Sequence, residues 1–97
     1  MAQQGTHRKA SETLVKLGFD YLYRGDLKTA MYRFNQAWIL DPTNENVFWG
    51  FGGIYFTFGD YAAANKQYNE GLAINAKSSN ILTDMASVHM SLYELNK

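Results

Sequence analysis

The chain repeats itself at a fixed interval. Displaced by 34 residues, the sequence matches itself in residue type at position after position. Gly18 falls on Gly52, Tyr21 on Tyr55, Gly25-Asp26-Leu27 on Gly59-Asp60-Tyr61, and Ala30 on Ala64. Phe34 falls on Tyr68, Asn35 on Asn69, Ala37 on Gly71 and Leu40 on Ile74. One further step carries Leu14 and Phe48 to Leu82, Leu17 and Phe51 to Met85, and Gly18 and Gly52 to Ala86. A period of this length means stacked copies of one supersecondary unit, each too small to bury its apolar face alone.

Within a unit the apolar spacing is helical. Leu14, Leu17, Gly18 and Tyr21 form one stripe, and Leu27, Ala30, Phe34, Ala37 and Leu40 form a second. Gly25-Asp26 lies between them: glycine closes a helix in the left-handed conformation, and the aspartate can accept from the free N–H groups of the next. Pro42 disfavours helical geometry at Asp41 and so ends the second helix, and Asn44 can cap the third. The pattern predicts five helices over about 8–24, 27–40, 45–58, 61–74 and 79–95, with small residues at 18, 52 and 86 where helix axes approach closely.

This arrangement resembles the tetratricopeptide repeat. Its small and large residues stand here as Leu14, Leu17, Gly18, Tyr21, Ala30, Phe34, Ala37 and Pro42, then as Phe48, Phe51, Gly52, Tyr55, Ala64, Tyr68 and Gly71. Ala76 takes the place of the usual proline, which would loosen the second loop. The run Phe-Asn-Gln-Ala-Trp-Ile-Leu-Asp-Pro followed by Val-Phe-Trp-Gly-Phe-Gly looks like bacterial members of that family. The resemblance implies an all-α, right-handed solenoid of antiparallel helix pairs forming a single domain over 1–97. Repeat one would span 11–44, repeat two 45–78, and a partial repeat or capping helix 79–97. It also implies a non-catalytic scaffold that binds a protein or peptide, with no cofactor.

Composition narrows the partners. Lys+Arg 9 balances Asp+Glu 9, so no broad positive field exists to hold a phosphate backbone, and nucleic acid is a poor fit. No stretch approaches the ~20 apolar residues of a membrane span. No apolar h-region follows Met1, so no signal peptide is visible. The absence of cysteine excludes disulfides and thiolate metal sites, and suits a cytoplasmic location or, after removal of a signal, a periplasmic one.

The search for a catalytic set comes back nearly empty. His7 and His89 are far apart and neither has a metal-ligating partner one helical turn away. His89 occupies the slot of Tyr21 and Tyr55 and is expected in the core. Gly50, Gly52 and Gly53 lack the Gly-Lys-Ser/Thr of a phosphate loop. Trp38, beside Ala37, is expected at the junction between repeats.

What remains is the concave face that the resemblance assigns to the first helix of each unit. Its positions here are Glu12, Val15, Lys16, Phe19 and Tyr23, then Asn46, Trp49, Gly50, Gly53 and Phe56, then Asn80, Thr83, Asp84 and Ser87. Lys16 alone cannot form the carboxylate clamp of chaperone-binding relatives, whereas Phe19, Tyr23, Trp49 and Phe56 make the groove aromatic. Two readings of Gly50 and Gly53 stay open: they let helices close up, or they form a pocket floor beside Trp49. On the last helix, Ile81, Val88, Leu92 and Leu95 can pack back on the second unit. Leu82, Met85, His89 and Tyr93 form a second stripe, expected to be covered by a second copy in a homodimer, by a partner or by further sequence.

Overall fold

The turns explain the helices in a computed structural model of the chain, which describes the backbone of residues 2–95 and the side chains of residues 7–93. Gly25 and Gly59 have φ of +84° and +83°, the left-handed region that glycine enters without steric cost. Each closes its helix in the same way. The Asp26 N–H donates to the Tyr21 carbonyl at 2.9 Å and the Gly25 N–H to Leu22 at 3.0 Å, and Asp60 and Gly59 repeat both bonds on Tyr55 and Phe56. The aspartate that completes the turn then opens the next helix. Oδ1 of Asp26 and of Asp60 accept from the N–H of Thr29 and Ala63, each at 3.1 Å.

Five α-helices result: α1 (Ala2–Tyr23), α2 (Leu27–Leu40), α3 (Glu45–Phe58), α4 (Tyr61–Ile74) and α5 (Ser79–Leu95). No strand occurs among the described residues. The helix ends agree with the spacing-based expectation except at the start, where α1 begins at Ala2 rather than near residue 8. Ala-Gln-Gln-Gly-Thr contains no proline to stop a helix already nucleated over 8–23. The loops after α2 and α4 share one turn. Asp41 Oδ1 accepts from the Thr43 N–H at 3.0 Å and Asn75 Oδ1 from Lys77 at 3.1 Å, so Ala76 in place of proline leaves its geometry intact.

The helices pack as successive hairpins. Ser11 meets Ala37 while Gly18 meets Phe34, so α1 and α2 run antiparallel. α3 packs on α4 and α4 on α5. The first helices α1, α3 and α5 touch in sequence, α2 touches α3, and α2 makes no such contact with α4. An open crevice of about 410 Å³ lined by Met31, Asn35, Phe51, Tyr55 and Gln67 separates them.

Two rings organise the core. Phe34 is wholly buried, with Gly18 and Gly50 against its ring; a Cβ on Gly18 would lie 2.5 Å from Phe34 Cε1. Tyr68 is buried against Gly52 in the same manner. These glycines therefore make room for aromatic rings rather than for a bare helix crossing. A buried polar chain ties the first loop to α1. The Ser11 hydroxyl donates to the Ala37 carbonyl at 2.7 Å, and Asn44 Nδ2 donates to Ser11 Oγ at 2.9 Å. Asn44 Oδ1 meanwhile caps α3 by accepting from Asn46 N–H at 3.1 Å. Nearby, the Arg8 guanidinium donates to Glu45 at 2.6 Å and Glu12 at 3.1 Å. Trp38 is 45% exposed on α2, because its neighbour Ala37 takes the inward position. Among the described residues no helix is long and apolar enough to cross a membrane.

Candidate functional site

Helix α3 packs on α1 and on α5, and an open-mouthed cavity of about 210 Å³ lies between them. Helix α1 contributes Phe19, Leu22 and Tyr23; α3 contributes Gly53, Phe56 and Thr57; Tyr68 comes from α4, and Asp84 and Ser87 from α5. The helical spacing of 19, 22 and 23 places three side chains on one face of α1, and 53, 56 and 57 repeat that spacing on α3. Phe19 is nearly buried, with the Tyr23 ring 5.9 Å away, whereas Tyr23 is 78% exposed. Phe56 packs on Tyr61 at 5.2 Å.

Trp49 lies beside this cavity as a tie. It is half-buried, its ring centroid is 4.3 Å from that of Phe19, and its indole N–H donates to Asp84 Oδ2 at 2.7 Å. That bond joins α3 to α5 and fixes the carboxylate. Asp84 Oδ1 makes no hydrogen bond among the described residues. Burial, with the charge of Asp84 adding to it, pushes the Tyr68 hydroxyl well above the ordinary tyrosine range, so it keeps its proton.

The two readings of the glycine pair divide between its members. Gly50 is buried against Phe34 and serves packing. Gly53 lines the cavity, where a Cβ would stand 3.2 Å from Leu22 Cδ2. Six of the groove residues inferred from sequence meet in the cavity: Phe19, Tyr23, Gly53, Phe56, Asp84 and Ser87. Lys16 and Asn80 are exposed and Asn46 is half-buried; none of the three lines it. Val15 belongs to the core, not the groove, and Glu12 is bonded to Arg8.

Sequence reasoning missed Leu22, Thr57 and Tyr68. Tyr68 had a signal: it replaces Phe34 one repeat later, and a hydroxyl in a core slot needs a polar or open neighbour. The same step takes Gly50 to Asp84, which lines the cavity with Tyr68.

On α5, Ile81 and Val88 are fully buried and Leu92 packs against the core cluster of Ala64, Tyr68, Ile81 and Val88. Leu95 lies outside the residues whose side chains are described. Of the second stripe, Leu82 is 48% and Tyr93 64% exposed, while Met85 is half-buried. His89 is exposed rather than in the core, with Nε2 3.2 Å from Asn65 Oδ1. Among the described residues only α3 and α4 flank α5, so that slot has no second wall. A broader depression of about 680 Å³ on α4 has Lys66 and Glu70 on its lining but no converging aromatic set. No group of three or more His, Cys, Asp or Glu side chains among the described residues could hold a metal ion. No protein-family model and no curated protein matches the chain.

Proposed function

We propose that the chain is a tetratricopeptide-repeat module, a right-handed solenoid of antiparallel helix pairs, that binds a peptide segment of another protein and catalyses nothing. The cavity between α1, α3 and α5 carries this reading, because three aromatic side chains on successive first helices converge there around Gly53. Aromatic side chains in a concave site give large contact area at small entropic cost. The helix contacts support the solenoid: first helices touch in sequence while α2 and α4 stay apart, within a flattened Cα envelope of 51 × 29 × 16 Å.

Selection of a displayed random-peptide library on the immobilised chain tests the function. Peptides should be captured by the parent and lost with Gly53→Leu, which fills the cavity from an edge of the core. Capture unaffected by Gly53→Leu would move the binding surface elsewhere.

A second reading is self-association through α5, favoured by the exposed Leu82, Met90 and Tyr93. Light scattering over a concentration series, parent against Leu82→Glu, decides it. A parent that stays monomeric at high concentration removes this reading.

A further inference from the structure

We propose that the cavity between α1, α3 and α5 takes one basic side chain, lysine or arginine, from the bound peptide and pairs its cationic head with Asp84. This rests on the peptide-binding reading above and adds the chemistry of the anchor.

Size comes first. At about 210 Å³ the cavity falls below the ~300 Å³ of sites for whole small molecules, and suits a single long side chain. Charge comes second. Asp84 is the one ionisable carboxylate on the lining, and no lysine, arginine or histidine accompanies it. One of its oxygens is held by the Trp49 indole N–H at 2.7 Å, and the other has no hydrogen bond among the described residues. An apolar anchor would cover that carboxylate without pairing it, which desolvates a charge for no return. An acidic anchor would meet it with like charge.

The walls then select the stem. Phe19, Leu22 and Phe56 offer apolar surface to a methylene chain, as basic side chains commonly use when only their heads are polar. Aromatic rings beside a cation add attraction from their quadrupoles. Tyr68, which keeps its proton, brings no competing negative charge. The repeat shows the same logic from the other side: the equivalent of Asp84 in the preceding unit is Gly50, whose place against Phe34 leaves no cavity and no charge.

The test uses the peptides captured in the selection described above. They should share a lysine or arginine at one position. Replacing it with norleucine, which keeps the stem and removes the charge, should weaken binding roughly tenfold or more, the scale of a charge-assisted contact. Asp84→Asn should weaken the basic peptide to a similar degree and leave the norleucine peptide unchanged, since the amide oxygen can still accept from Trp49. Binding of the basic peptide should also fall with added salt while the norleucine peptide holds. The peptide substitution and the salt series read the charge even where Asp84→Asn lowers stability. Captured peptides that Gly53→Leu abolishes, but that share no basic position or tolerate norleucine, would overturn the cationic anchor and leave the peptide site standing. Capture of no peptide at all would overturn both.

Discussion

Phe34 and Tyr68 hold the same place in successive units, and their surroundings differ in one respect. Phe34 lies between two glycines, Gly18 and Gly50, which shut the space around its ring. Tyr68 has the first of these walls in Gly52, but the counterpart of Gly50 is Asp84. In place of a closed apolar slot, the second unit presents a buried tyrosine, a carboxylate and a cavity that α1 and α3 complete. The second unit thus opens a cavity where the first closes a core slot, through a change of residues at matched positions.

Several substitutions would break or sharpen that contrast. The largest effect is expected where glycine faces a ring. Gly50→Leu and Gly52→Leu should each lower stability by about 1–3 kcal/mol or more, because Phe34 and Tyr68 fill the space a side chain would need. Gly53→Leu, facing the cavity, should cost less than either. Thermal melts compare the three, and equal costs would erase the distinction between packed and open glycines.

Exchanging the two rings tests the contrast next. Phe34→Tyr places a hydroxyl between glycines with nothing to receive it, and should cost about 1–3 kcal/mol. Tyr68→Phe should change stability by no more than about 1 kcal/mol, since its slot opens on the cavity. Denaturant midpoints that reverse this order would contradict the account.

Asn44→Ala removes a helix cap and a buried donor to Ser11 together, and should cost about 1–2 kcal/mol by chemical denaturation. The smallest effect concerns pH. The folded state raises the Tyr68 hydroxyl above its unfolded value of 10.0, so this contribution is intact below that pH and is lost as pH rises beyond it. Stability should fall in the alkaline range less steeply in Tyr68→Phe than in the parent.

How much of this was legible follows from what a period can encode. The turns were readable because Gly25-Asp26 and Gly59-Asp60 carry their function in residue type: a left-handed closure followed by a cap. The helix limits followed from them. The site was readable only in part. The resemblance could place Phe19, Tyr23, Gly53, Phe56, Asp84 and Ser87 on one face, but it does not say how deep a side chain lies. The depth of Trp49 therefore stayed open between core packing and a pocket wall; its N–H is spent on Asp84 across 35 positions of sequence. His89 misled for a related reason. Its register assigned it to a buried slot, and burial depends on whether a neighbouring helix covers that slot.

The two tryptophans also supply the most direct test of where a ligand sits. Trp49 adjoins the cavity with its indole N–H on Asp84, and Trp38 is exposed on α2 away from it. In a proton–nitrogen correlation spectrum of the labelled chain, each gives one indole resonance, assignable with Trp38→Phe. Titration with a peptide captured by display should shift the Trp49 indole signal and the backbone signals of Gly53 and Ser87, and leave the Trp38 indole in place. Movement of the Trp38 indole, or shifts confined to the neighbourhood of Leu82 and Met90 with Trp49 unmoved, would contradict a binding site between α1, α3 and α5.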